Sequence, residues 1–149
     1  MNDLKLYVAI VSALLCSSCG PKPEELLLGS WQVDSVYSYY NGFDFWQYEQ
    51  GPDWATYEYT SDGKMKEIKF GTFRPYRYRL SGDTLFWIAG SEPQAGWFQI
   101  LELRADFMVL KREKSPIFSG EAQERYEIRF FSRVASEGEA DTFRQVQNQ

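Results

Sequence analysis

Residues Trp54 to Phe70 read Trp-Ala-Thr-Tyr-Glu-Tyr-Thr-Ser-Asp-Gly-Lys-Met-Lys-Glu-Ile-Lys-Phe, and their pattern decides the fold class. Tyr57 and Tyr59 alternate with Thr56, Glu58 and Thr60, the period of two expected of a strand with one face in a core. Asp62-Gly63 then separates this run from Lys64 to Phe70, and Asp-Gly in that position marks a hairpin because glycine accepts the positive φ of the turn. The pattern repeats outward. Arg74 to Leu80 sets Tyr76, Tyr78 and Leu80 against Arg77 and Arg79, and Ser81-Gly82-Asp83 turns it into Thr84 to Ile88. Trp97 to Leu103 and Phe107 to Arg112 flank Arg104-Ala105-Asp106. Upstream, Trp31, Val33, Ser35, Tyr37 and Tyr39 alternate with Gln32, Asp34, Val36, Ser38 and Tyr40. Downstream, Tyr126, Ile128 and Phe130 oppose Glu127, Arg129 and Phe131 within Arg125 to Val134.

These runs predict eight strands joined in sequence, with longer connections at Asn41 to Asp53, Ala89 to Gly96 and Glu113 to Glu124. Without a long crossover, the favoured all-β architecture is an eight-stranded antiparallel up-and-down barrel rather than a Greek-key sandwich. Closure also removes the edges that so aromatic a sheet would otherwise expose. The helical candidates are one turn at Pro23 to Leu28, plugging an end, and part of the Glu113 to Glu124 connection.

The chain has 149 residues, five Trp, ten Tyr, eleven Phe and no His, with a formal net charge of −5. That length suits one domain able to bury a core without a disulfide or metal. The lack of His removes Ser-His-Asp and Cys-His nucleophilic sites and His-ligated zinc, and no metal or cofactor is expected. Nucleic acid is disfavoured as a partner, because a phosphate backbone selects for a concentrated basic face.

Residues 1–18 read as an export signal: Lys5 lies in a short n-region, and Leu6 to Leu15 is an apolar run too short to span a bilayer. Leu14-Leu15-Cys16-Ser17-Ser18-Cys19-Gly20 follows and resembles the lipobox of bacterial lipoproteins. Cys19, preceded by two serines, is the expected acyl acceptor; Cys16 has Leu15 where a small side chain is wanted. A plain secretory signal with two incidental thiols is the alternative. The lipobox implies a bacterial envelope protein, held through an N-terminal lipid and placed at the outer membrane. Pro21 and Pro23 make residues 19–25 a tether, residues 26–134 form the barrel, and the acid- and Gln-rich 135–149 is expected to be a disordered tail.

Leu27-Leu28-Gly29-Ser30-Trp31 leads into the first strand, and Gly-x-Trp at that place is the N-terminal signature of the lipocalins. With the hairpins around Asp62-Gly63 and Gly82-Asp83, the chain from Leu26 to Val134 is similar to the small lipocalin-like domains of bacterial lipoproteins. The resemblance implies that Gly29 and Trp31 close the base of a barrel, with an arginine of the last strand, Arg129 or Arg133, stacked on the indole. It also implies a small apolar or amphipathic ligand inside.

An eight-stranded barrel is either filled by side chains or holds one small ligand, and both readings stay open at this stage. Inward candidates are Tyr37, Tyr39, Tyr57, Tyr59, Tyr76, Tyr78, Leu85 and Trp87. The loop from Tyr40 to Trp54, crowded with aromatics, is the expected lid: Phe43, Phe45 and Trp46 either cork the mouth or, with Tyr48 and Trp54, contact a ligand or a sugar face. A glycosidase-like pair, Asp44 with Glu49 or Asp53, is the available enzymatic chemistry, but a chain this small is poorly suited to a polysaccharide cleft and no catalysis is expected. The other non-enzymatic reading is an envelope interaction module with a filled barrel, docking a protein or glycan; its basic stripe would be Lys64, Lys66, Lys69, Arg77 and Arg79, which alternate with apolar residues as an ordinary solvated face does.

Overall fold

A computed structural model describes residues 20–48, 54–90, 96–118 and 122–134. The signal segment, Cys16, Cys19, Glu49, Asp53 and the 135–149 tail lie outside the described residues. One short helix, α1 (Pro23–Leu27), precedes nine strands: β1 (Gly29–Tyr40), β2 (Phe43–Tyr48), β3 (Thr56–Tyr59), β4 (Lys64–Lys69), β5 (Thr72–Ser81), β6 (Thr84–Ile88), β7 (Gly96–Leu103), β8 (Phe107–Glu113) and β9 (Arg125–Val134). All neighbouring pairs are antiparallel, and β9 returns to pair with β1. Strands β1 and β3 to β9 therefore form a closed eight-stranded antiparallel barrel, all-β and lipocalin-like in architecture.

β2 is a ninth strand where the sequence reading placed a lid loop. Asn41-Gly42 joins β1 to β2 with φ of 45° and 92°, the left-handed pair that a two-residue type I′ hairpin requires. β1 is long enough to serve two partners on one edge: Gly29 to Gln32 pair with β3, and Ser35 to Tyr40 pair with β2.

A β-bulge sets which side chains enter the barrel. Val33 pairs with Phe131 and Ser35 with Phe130, so Asp34 is an extra residue, its carboxylate accepting a hydrogen bond from Ser132 Oγ at 2.8 Å. Trp31 and Val33 point inward before the bulge and Val36 after it, all three buried. The unbroken alternation expected for β1 is thus corrected, and Tyr37 and Tyr39 lie on the outer face. There Tyr37 stands 5.0 Å from Trp46, centroid to centroid, and Tyr39 stacks on Tyr126 at 4.9 Å.

The core fills the lower half of the barrel, where Trp31, Tyr59, Met65, Leu85, Phe98, Met108, Leu110 and Phe131 are buried together. At the very base, Trp31 donates its indole N–H to the Leu27 carbonyl at 2.8 Å, tying α1 under the barrel. Of the two arginines expected to stack on that indole, Arg133 does so, 4.3 Å from the ring centroid. Its guanidinium donates to the carbonyls of Leu26, Leu28 and Ala105, so one side chain ties together α1, the entry to β1 and the β7–β8 turn. Gly29 lies against it with φ of +108°; a Cβ there would come within 2.6 Å of Arg133 Nη1.

Candidate functional site

Above the packed half the lumen opens into a cavity of about 400 Å³, lined by Val33, Val36, Gln47, Trp54, Ala55, Tyr57, Glu67, Lys69, Glu127 and Arg129. β3 has only four residues, so the wall is low between β2 and β4, and Gln47 and Lys69 from those strands both line the cavity. A second cavity of about 380 Å³ lies at the rim, between the β1–β2 hairpin and the segment joining β8 to β9; it shares Glu127 with the first.

A chain of polar contacts crosses the floor of the first cavity. Tyr76 donates to Glu67 at 3.4 Å and Tyr57 to the same carboxylate at 3.2 Å. Tyr57 Oη accepts from Arg129 Nη1 at 3.2 Å, Arg129 Nε donates to Glu127, and Lys114 closes the chain on Glu127 at 2.6 Å. Every buried side-chain polar atom among the described residues has a partner, as buried polar groups generally require. Burial alone would raise the Glu127 carboxyl, but the charges of Arg129 and Lys114 outweigh it and hold this acid below its ordinary range. Burial pushes the Tyr57 phenol far up, although Arg129 opposes the shift, so Tyr57 stays a neutral donor to Glu67.

Charge on the inner face runs opposite to that of the whole chain. By register, Lys69 and Arg74 flank Glu67 on the inward side of β4 and β5, while Arg112, Arg125 and Arg129 share the inward side of β8 and β9 with Glu127. Cations outnumber carboxylates there, on a protein whose net charge is −5.

The residues expected to bind a ligand divide among four places. Tyr57 and Trp54 line the main cavity. Tyr76 reaches its floor through Glu67. Tyr59, Tyr78 and Trp87 belong to the packed half: Trp87 Nε1 donates to Tyr59 Oη at 3.1 Å, and Tyr78 Oη donates to the Thr60 carbonyl at 2.9 Å. Phe43 and Phe45 line the rim cavity and are 77% and 61% exposed, so they do not cork the barrel. Trp46 and Tyr48 join Tyr37 on the outer face, Trp46 stacking on Tyr48 at 5.8 Å and on Phe130 at 5.5 Å.

Reading the sequence missed Glu67, Arg112, Lys114 and Glu127 as lumen groups and cast Arg129 as a partner of Trp31. A signal for the last two was present. Arg129 and Glu127 share a phase with Phe131 in β9, and the phase that buries Phe131 puts both acid and base inside. The expected basic stripe is also broken, because Lys69 faces the mouth while Lys64, Lys66 and Arg77 hold the opposite phase.

Among the described residues, no cluster of acids forms a nest for a metal ion. Comparison with protein-family models, curated proteins and solved structures finds no match. Fold and site together define a closed lipocalin-like barrel, filled at its base and open above onto a cavity whose lining joins aliphatic and aromatic side chains to Glu67, Lys69, Glu127 and Arg129.

Proposed function

We propose that this protein is a lipocalin-type lipoprotein that binds one small amphipathic molecule in the upper half of its barrel. The observation that carries the reading is the main cavity, whose volume of about 400 Å³ falls in the range of small-molecule sites and whose lining joins Val33, Val36, Ala55 and Trp54 to a few fixed polar groups. The Gly29, Trp31 and Arg133 base supports the lipocalin kinship. Acylation of Cys19 would hold the chain at the bacterial envelope, as an outer-membrane lipoprotein. Since α1 packs under the closed base, a tether from Cys19 would stand the barrel base-down, with its mouth turned from the anchoring membrane. The proposal includes no catalysis and no cofactor.

Native mass spectrometry of the full chain isolated from its host tests the reading. A bound small molecule is expected on the wild type and is lost in Val36→Trp, which fills the cavity. A bare wild type whose Trp fluorescence also ignores amphipathic probes would overturn it. One observation favours the interaction module instead: the aromatic row of Tyr37, Trp46, Tyr48 and Phe130 on the outside of the barrel, of which Trp46 and Tyr48 are exposed, a surface suited to a protein or glycan partner.

A further inference from the structure

We infer that the open end of the barrel is a docking surface for an anionic lipid bilayer, which it meets mouth-first through a crown of exposed apolar side chains; this goes beyond the lumen reading and holds whether or not the lumen carries a ligand. Three connections lie at the end opposite α1: the β1–β2 hairpin, the β4–β5 turn and the segment after β8. Each presents large apolar residues to solvent, Phe43 and Phe45 on the first, Phe70 and Phe73 on the second, Ile117 and Phe118 on the third. The turns at the closed end, Asp62-Gly63, Gly82-Asp83 and Arg104-Ala105-Asp106, contain no large apolar side chain and one aspartate each. Solvent alone would favour the same polar turns at both ends.

Phe70 is the most telling member of the crown. It and Gly71 have φ of 51° and 69°, the left-handed pair of a type I′ turn. The β1–β2 hairpin fills the first of those positions with Asn41, which tolerates it, whereas a bulky aromatic residue is strained there. Burial does not offset the strain, since Phe70 is 67% exposed. A strained residue that stabilises no core points to a use outside the fold. Lys69 Nζ lies 5.1 Å from the Phe70 centroid, so cation and ring project together. Lys69, Arg74 and Arg125 have no carboxylate partner among the described residues; of the acids at this end Glu113 is paired with Lys111, which leaves Asp44 and Glu124. Apolar rings beside cations suit a bilayer interface, which takes up side chains singly and attracts cations through its anionic head groups. The tips also lie at three places on the ring of strands, so a flat bilayer reaches all of them at once, as a peptide in one groove could not. With the base held by an acylated Cys19, the docked bilayer would be a second one.

The test uses the full chain isolated from its host, loaded on beads coated with phosphatidylcholine, and counts the fluorescent vesicles that the beads capture; a chain that does not load is instead co-sedimented directly with the same vesicles. Vesicles of phosphatidylcholine alone are compared with an equal mixture of phosphatidylcholine and phosphatidylglycerol. The anionic vesicles are expected to be captured about tenfold or more better, with the preference falling at high salt. Phe70→Asn should reduce their capture by about fivefold while the midpoint of denaturant unfolding stays level or rises, because Asn suits the turn. Arg74→Gln, which breaks no ion pair among the described residues, should reduce it by about fivefold. Leu101→Asn, exposed on β7 toward the closed end, should leave it unchanged. Capture of neutral and anionic vesicles alike, or Phe70→Asn capturing as well as the wild type, would overturn the inference. No capture, with a dimer in sedimentation that Phe70→Asn dissociates, would overturn it in favour of a second copy on the crown, and no capture from a monomer would overturn it in favour of a protein partner. Native mass spectrometry of the same preparation reads the lumen separately, so a bare wild type that still captures anionic vesicles rejects the lumen ligand and supports the docking.

Discussion

Gly29 shows how a residue without a side chain fixes the base of the barrel. Its φ of +108° lies where L side chains are strained, and its missing Cβ is the space that Arg133 uses to reach three carbonyls beneath Trp31. A cation–π contact of this kind contributes about 0.5–2 kcal/mol, and the guanidinium hydrogen bonds add to it. Gly29→Ala must therefore displace Arg133 as well as strain the backbone, and is expected to destabilise the protein by about 1–3 kcal/mol. Denaturant titration checks this; a loss below about 0.5 kcal/mol would mean that the base tolerates a side chain there. Lumen binding should survive at protein concentrations where the variant is folded, because Gly29 does not line the cavity.

At the scale of elements, β2 separates two tryptophans that the sequence places together as lid residues. Trp46 lies on the outer face of the hairpin, 42% exposed and held by a tilted contact with Tyr37 and by stacking on Tyr48 and Phe130. Trp54 lies at the cavity wall just before β3, half-buried and packed against the core. Trp46→Ala should cost about 1–2 kcal/mol, as expected for a partly exposed aromatic cluster, and leave amphiphile binding unchanged. Trp54→Ala should weaken binding of an amphipathic probe by severalfold and remove most of the ligand-induced fluorescence change. Paired titrations of the two variants decide the matter: equal effects on binding would contradict the division of the hairpin from the cavity wall.

For the molecule as a whole, the proposed lipid anchor would link the address and the orientation through the N-terminus. Cys19 lies outside the described residues, so its role rests on the lipobox pattern, while the position of α1 at the closed base comes from the structure. Cys19→Ala is expected to abolish membrane fractionation and incorporation of a fatty-acid analogue, and Cys16→Ala to leave both intact. Label persisting in Cys19→Ala would reject the lipid anchor. Among the described residues no helix is long and apolar enough to cross a membrane.

The eight barrel strands, their antiparallel order and the closing turn at Asp62-Gly63 were legible in the sequence, because local alternation and turn chemistry are properties of neighbouring residues. Asn41-Gly42 was equally legible as a hairpin signal; the surrounding aromatics drew it into a lid loop, where the structure puts β2. Which face of each strand points inward was decided only by tertiary structure. The bulge at Asp34 reverses the phase of β1 and turns Tyr37 outward, and it exists because β1 must stay in register with β9 while the barrel closes. In β9 the usual rule of charged-out and apolar-in is inverted: Tyr126, Ile128 and Phe130 face outward while Glu127 and Arg129 face inward. Burying an acid and a base is tolerable only when partners from outside the strand compensate them, here Lys114 just after β8 and Tyr57 on β3. Those partners lie far away in sequence, so the sequence determined the barrel, and chain closure determined the chemistry inside it.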